Sequence, residues 1–244
     1  MDVVILCGGI GSRMQSLNKD IPKILLPLCG MRLLEWQMRM ISVLPIDRII
    51  LATHYMSNMI ERNNELRKYS NINLSKANRL LDTGGALKHA IEKYRPISPI
   101  MLVMNGDILC NVNLHNMFIN FKNSYDCLML TSYSDKANEY GSTTIYKNRI
   151  ISFTEKDAAA KSGYINGGIY LFSSSILNYL PEKAVFSLEY DVFPYLDRLY
   201  SYRHSGMWHD IGTPSRYCMA VNDLNKFIET RQLTMPEGPF AIAA

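Results

Sequence analysis

No apolar run in this 244-residue chain comes near the ~20 residues a membrane helix requires; stretches such as Val3 to Cys7 are far too short. A bilayer-spanning protein is thereby excluded. Nor is a secretory leader expected, because Asp2 and the Gly8-Gly9 pair occupy the places of its basic start and apolar middle. A cytoplasmic location is the resulting expectation. The five cysteines, Cys7, Cys29, Cys110, Cys127 and Cys218, are odd in number and show no CxxC spacing. That argues against a disulfide framework and a zinc ribbon, and leaves buried free thiols. The five histidines show no metal-ligand spacing. Charge of one sign is also lacking: a net +4, spread along the chain, does not call for a nucleic-acid partner, and none is expected. No internal repeat and no Ser/Pro-rich linker divides the sequence, so residues 1–230 read as one domain and 231–244 as a tail.

What is present is ample apolar material, 48% of residues against 20% charged, enough to offset the ordering entropy of a folded core. Val3 to Cys7 reads as a buried strand that runs into a glycine-rich turn, Gly8 to Ser12, and a polar stretch closed by Pro22. Helical spacing follows from Leu33 to Val43, a strand over Arg48 to Ala52, an exposed helix over Asn58 to Tyr69 and a short strand at Ile72 to Leu74. After a turn at Asp82 to Gly85 a helix resumes to Lys93, and Ile100 to Met104 forms a strand that ends at Asn105-Gly-Asp107. Cys127 to Tyr133, Ser142 to Tyr146, Ile150 to Thr154 and Gly168 to Phe172 are strand-like, Tyr195 to Leu199 helical, and Tyr217 to Phe227 a terminal helix. The early alternation is the βαβ pattern of a parallel sheet, which places ligands at the carboxyl ends of strands. The expected fold is α/β, a three-layer α/β/α arrangement around a Rossmann-like nucleotide-binding mixed sheet.

The segment Leu6-Cys-Gly-Gly-Ile-Gly-Ser-Arg13, followed by Pro22-Lys23, is the richest in chemistry. Glycines after a strand let backbone N–H groups approach an anion, and Arg13 and Lys23 bring positive charge to the same end. The spacing is neither GxGxxG nor GxxxxGK, so a dinucleotide fingerprint and a Walker loop both fit poorly. On the residues alone a plain glycine turn with two solvated cations stays open.

The run from Val4 to Glu35 resembles the N-terminal motif of the sugar-1-phosphate nucleotidyltransferases. Further matches come in that family's order: Asp82-Thr-Gly-Gly-Ala86, Asn105-Gly-Asp107, Tyr140-Gly141, Phe153-Thr-Glu-Lys156, Ile165-Asn-Gly-Gly-Ile-Tyr170, Ser187-Leu-Glu189 and Trp208-His-Asp-Ile-Gly-Thr-Pro214. The resemblance spans residues 2–222. Its implied chemistry is Mg²⁺-dependent transfer of a nucleoside monophosphate from an NTP to a sugar 1-phosphate, with release of pyrophosphate. By the same resemblance Arg13, Lys23, Asp107 and Asp210 are catalytic, and Asp107 and Asp210 hold the Mg²⁺. Leu6, Gly8, Gly9, Gly11, Ser12, Thr83, Gly84 and Gly85, with Arg13, Lys23 and Asp107, would bind the nucleotide. Gly141, Glu155, Lys156, Asn166 and Gly167 would bind the sugar phosphate. Cys7 reads as small packing beside the loop, and His209 as a partly buried hydrogen-bonding side chain with a smaller chance of touching substrate.

The stretches around Tyr164 to Phe172, Phe186 to Tyr195 and Gly206 to Pro214 resemble guanylyltransferases acting on mannose 1-phosphate or D-glycero-D-manno-heptose 1-phosphate. GTP is favoured on that basis. The pattern departs at Asp82, where relatives often carry glycine, and at Asn78-Arg79, where they carry an acidic or amide residue. A uridylyl- or thymidylyltransferase therefore stays open, as does an idle nucleotide-sugar sensor. A retaining glycosyltransferase fits less well, because Asn105-Gly-Asp107 lacks the DxD pair. No acyltransferase or isomerase module is expected, and the aromatics near Tyr195, Tyr200 and Tyr202 permit a homodimer without requiring one.

Overall fold

The computed structural model describes residues 1–14, 16–17, 19–63, 66, 69, 71–155 and 161–231. In chain order the strands are β1 (Asp2–Leu6), β2 (Pro27–Leu28), β3 (Met31–Arg32), β4 (Arg48–Thr53), β5 (Ile72–Lys76), β6 (Ile100–Asn105), β7 (Ile108–Cys110), β8 (Cys127–Ser134), β9 (Gly141–Tyr146), β10 (Arg149–Glu155), β11 (Gly163–Ser173), β12 (Leu199–His204) and β13 (Trp208–Asp210). The α-helices are α1 (Leu33–Ile41), α2 (Ser57–Glu61), α3 (Asp82–Tyr94), α4 (Leu114–Ile119), α5 (Leu188–Asp191) and α6 (Pro214–Arg231).

Nine strands form one mixed sheet in the order β5-β4-β1-β6-β11-β8-β12-β10-β9. The first four run parallel, and β11 joins antiparallel to both β6 and β8. Central β1 is apolar without alternation because both its faces are covered. Val3 and Ile5 pack with Leu34, Met38 and Ile41 of α1, whereas Val4 packs with Leu87, Ala90 and Ile91 of α3. The expected three-layer α/β/α fold is thus the observed one. A third apolar cluster seats α6, through Ala220 and Leu224, against Leu28, Leu33, Leu109 and Ile211. Among the described residues no helix is long and apolar enough to cross a membrane.

Several local expectations change. Among the described residues of the stretch read as a helix over Asn58 to Tyr69, the α-helix is Ser57–Glu61, and the turn read at Asp82 to Gly85 is the first turn of α3. Tyr195 to Leu199 is not helical. A 3₁₀ turn covers Phe193–Tyr195, and Leu199 opens β12, whose alternate residues Leu199 and Ser201 point inward at a strand's period of two. Strands β7 and β13 were not expected, and β11 starts at Gly163, ahead of the Gly168 read from the sequence. Of the thiols only Cys110 and Cys127 are buried, and Cys218 is exposed. Tyr200 stacks on Tyr125 at 3.8 Å and Tyr202 packs on the core, which leaves Tyr195 as the exposed member of the aromatic trio.

The mixed half is pinned by one buried carboxylate. Asp126, immediately before β8, accepts hydrogen bonds from the Arg198 guanidinium and backbone N–H just before β12, and from Ser175 and Tyr179 after β11. Burial alone would push this carboxyl up, but the bonds from Arg198 and Ser175 outweigh it and hold the pKa below the ordinary carboxylate value. Its stabilisation is therefore fully present above the unfolded-state pKa near ~4 and is lost as pH falls through the lower folded value. Asp126→Ala, which strands several of these donors, is expected to cost about 2–3 kcal/mol in urea unfolding at neutral pH. The gap from wild type should narrow in acid below that range; a gap independent of pH would refute the pinning role.

Candidate active site

The sheet changes direction of connection at β1, with β4 on one side and β6 on the other, and the site opens at the carboxyl ends of β1 and β6. The loop after β1 carries Gly8, Gly9, Gly11 and Ser12 along one wall. Gly11 adopts φ +65, and a Cβ there would lie 2.9 Å from Cε of Lys23. Glycine gives the left-handed turn without strain and leaves room for that lysine where it stands. Lys23, at the start of a 3₁₀ turn, then places Nζ 3.1 Å from Oδ2 of Asp107.

Asp107 and Asp210 are 103 positions apart in sequence and adjacent in the fold. The short β7–β13 ladder does this: Asp210 pairs with Ile108, and the Ile211 N–H donates to the Asp107 carbonyl at 2.8 Å. Buried Gln37 of α1 braces the same turn, its Nε2 donating to the carbonyls of Asn105 and Ile108. Burial and the charge of Asp107 push the Asp210 carboxyl up to about 6, against the pull of Arg216, Lys23 and Arg13. Oδ2 of Asp210 accepts from Arg216 at 2.6 Å, while Oδ1 is buried without a partner among the described residues.

Two cavities meet here. The larger, about 600 Å³, runs from the glycine loop past His54, Ala77, Arg79 and His89, a size suited to a small ligand. In it His89 Nδ1 lies 2.8 Å from Ser75 Oγ and His54 Nδ1 lies 3.1 Å from the Ala77 carbonyl. The second cavity, about 390 Å³, holds Arg13, Glu139, Asn166, Trp208, Asp210 and Arg216 among its lining residues. Asp82, Thr83, Asn105 and Asp107 border both.

The structure gathers most of the residues anticipated from sequence at this junction. Leu6, Gly8, Gly9, Gly11, Ser12, Lys23, Thr83 and Asp107 line the larger cavity, and Gly141, Asn166 and Asp210 the smaller. Arg13, anticipated on the nucleotide, lines the smaller cavity and not the larger. Gly84 and Gly85 line neither of the two cavities. Both amides donate to the Phe186 carbonyl, and a Cβ would strike the Phe186 ring at 2.4 Å or the Ala184 carbonyl at 2.3 Å, so these glycines exist for helix packing. Gly167 likewise abuts the Leu130 carbonyl of β8, and Gly168 stands on the cavity wall in its place. Glu155 ends β10 opposite Gly141, and Lys156 lies outside the described residues.

Sequence reading gave no site role to His54, Ser75 and His89, and passed over Glu139 and Arg216, which flank the Tyr140-Gly141 and Trp208 to Pro214 motifs without belonging to them. His209 pairs with Asp223 at 3.2 Å and does not line the described cavities; burial lowers its pKa. Asp82 explains its own departure from pattern. It sits at φ +61, where glycine costs nothing, and its Oδ1 holds the Thr83 N–H at 2.7 Å, the local bond that lets aspartate tolerate the conformation.

Comparison with known proteins agrees with this geometry. The model of the family described as nucleotidyl transferase matches residues 2–226. The chain is 31% identical over 235 residues to D-glycero-alpha-D-manno-heptose 1-phosphate guanylyltransferase of Aneurinibacillus thermoaerophilus, covering 93% of this chain and all of that one. It is 28% identical to mannose-1-phosphate guanylyltransferase of Mycobacterium tuberculosis, of which it spans 64% while 92% of this chain is covered. Among solved structures, HddC from Yersinia pseudotuberculosis superposes with a TM-score of 0.77 at 29% identity, covering 91% of this chain and 99% of that one; HddC is also known complexed with GMP-PN. A glycine loop, a lysine and two converging aspartates between two cavities, in a chain matched almost throughout, therefore place it in the nucleotidyl transferase family, as a sugar-1-phosphate nucleotidyltransferase.

Proposed function

We propose that the protein transfers a nucleoside monophosphate, GMP in preference, from an NTP to mannose 1-phosphate or D-glycero-D-manno-heptose 1-phosphate. The observation that carries this reading is the contact of Lys23 with Asp107 beside Asp210, at the junction of the two cavities. A nucleotide laid in the larger cavity brings its α-phosphate to that junction, and a sugar phosphate enters through the smaller. A phosphate oxygen of the sugar 1-phosphate then attacks the α-phosphorus, and the bond to the leaving pyrophosphate breaks in line. Mutual repulsion of the two anions is the obstacle, and Lys23 and Arg13 oppose it with charge already in place.

The residues present fit a divalent cation. Two carboxylates crowd together, one with a buried oxygen that lacks a partner among the described residues. Two hard oxygen donors, completed by phosphate oxygens and water, suit Mg²⁺. Asp107 and Asp210 would hold it, and bound there it would neutralise charge on the reacting phosphates. The glycine-loop amides of Gly8, Gly9, Gly11 and Ser12 would take the triphosphate, with Leu6 and Thr83 beside the nucleoside. Gly141 and Asn166 would border the sugar, with Glu155 assigned to its hydroxyls and Lys156 to its phosphate by motif order. GTP preference is supported by the guanylyltransferase relatives and by the GMP-PN complex of HddC. Residues 1–230 are taken as the catalytic unit.

The test is pyrophosphate release in Mg²⁺, with GTP, UTP, CTP, ATP and dTTP crossed against mannose, heptose, glucose and N-acetylated sugar 1-phosphates. GTP with a manno-configured sugar is expected to dominate; preference for UTP or dTTP overturns the subtype, and silence with every pair overturns the activity. Asp107→Ala and Asp210→Ala should each lower kcat by about 10²–10³-fold or more while the protein stays folded by circular dichroism. Lys23→Met should fall in the same range. Unchanged turnover in either aspartate variant would dismiss the metal assignment.

A further inference from the structure

Arg216, in the first turn of α6, belongs to none of the sequence motifs, yet its guanidinium stands in the wall of the smaller cavity. Nη1 donates to Oδ2 of Asp210 at 2.6 Å and Nη2 donates to Oε2 of Glu139. Its Cζ lies 4.5 Å from the centroid of the Tyr140 ring, and Trp208 meets that ring edge-on at 5.4 Å. The Trp208 indole N–H is in turn fixed on the Gly167 carbonyl at 2.9 Å. Asp210 and the aromatic pair thus hold the plane of the guanidinium independently of Glu139. Glu139 is the loose partner, 41% exposed against 19% for Asp210.

Charge on this wall is unbalanced. Among the described lining residues Asp82, Asp107, Glu139, Glu189 and Asp210 are carboxylates, whereas Arg13 and Arg216 are the only cations. A divalent ion on the aspartate pair, with Lys23 on Asp107, only brings the wall to balance, and a sugar 1-phosphate then adds a further anion. Its phosphate needs a cation whose donors can be turned over to it. Arginine suits, because it is always charged and its fork matches phosphate geometry. Exchange of one anion for another on Nη2 costs little, because Glu139 is the more exposed member of the pair and its carboxylate is returned to water as it leaves.

We propose that Arg216 binds the phosphate of the sugar 1-phosphate, and that Glu139 is a placeholder which keeps Nη2 paired until that phosphate displaces it. This rests on the nucleotidyl-transfer reading above. Nη1 stays on Asp210 throughout, so one guanidinium ties the incoming phosphate to the carboxylate proposed to hold the metal.

The experiment is steady-state kinetics at saturating GTP and Mg²⁺ with mannose 1-phosphate varied, or with the sugar 1-phosphate that wild type turns over best. Arg216→Met should raise the KM for the sugar phosphate about 10–100-fold, with the KM for GTP within a few-fold of wild type. Arg216→Lys should recover part of that loss. Glu139→Gln should lower the sugar-phosphate KM, because the neutral amide competes less well for the guanidinium. Thermal melting of each variant reports folding. If Arg216→Met melts out, Glu139→Gln alone decides, since a rise in KM there would assign Glu139 to the sugar and end the placeholder role. A fall in kcat with unchanged KM in Arg216→Met would overturn the phosphate contact and leave Arg216 as a support for Asp210. A wild type that turns over while both variants keep its KM refutes this inference alone. A wild type silent with every substrate pair refutes the reading beneath it and this inference together.

Discussion

Two carboxylates brought side by side in a partly buried cleft repel each other, and everything around the site answers that repulsion. Asp107 and Asp210 are driven together by the β7–β13 ladder, which three residues on each side make and which Gln37 props from α1. Burial and mutual charge raise Asp210, while Lys23, Arg13 and Arg216 stand around the pair to lower it again. The fold maintains this arrangement because Leu109 of β7 and Ile211 just after β13 are buried in the apolar cluster that α6 joins through Ala220 and Leu224. A site organised around concentrated negative charge is suited to polyanionic substrates only when cations come with them, and that requirement links the lysine, the arginines and the proposed metal.

The sheet supplies the geometry of the two cavities. Parallel β5, β4, β1 and β6 aim their carboxyl ends at one region, and the larger cavity lies over the β1 end between β4 and β6. The antiparallel addition of β11 turns the chain so that Asn166 and Gly168 close the other side. A bulge between Asn166 and Tyr170 in the pairing with β8 reaims this strand at the cavity, with Asn166 Oδ1 accepting the Gly168 N–H at 2.9 Å. Helix α3 enters where the cavities meet, pressed so close to the Ala184 to Phe186 segment that its first turn has no room for two side chains. Thr83 completes that joint: its hydroxyl donates to Glu189 and accepts from the Leu188 N–H, which couples α3 to α5 at the rim.

The fold alone would not single out an activity, since related sheets carry many chemistries. The assignment comes from the converging charged groups, and family membership agrees with it. Arg216 shows how much of such a site is invisible to motif matching. It lies two residues past a recognised motif, and its role follows from what it touches: Asp210, Glu139 and the face of Tyr140.

Sequence by itself determined the features that are local or periodic. The buried strands β1, β4 and β6, the helix α1 and the glycine loop were legible because uninterrupted apolar runs, helical spacing and turn residues act over a few neighbours. The ordered series of short motifs also identified the family and named Lys23, Asp107 and Asp210. Tertiary structure alone decided what depends on contacts between distant segments. The three-residue strands β7 and β13 carry no periodicity of their own and exist because they pair with each other. Tyr195 to Leu199 left the helical reading because Leu199 to His204 has β8 to pair with. Gly84 and Gly85 look like ligand-facing glycines until the Phe186 ring is seen to fill the space in front of them. His54, His89, Glu139 and Arg216 joined the site for the same reason: a side chain's chemistry is set by what the folded chain brings within a few ångströms of it.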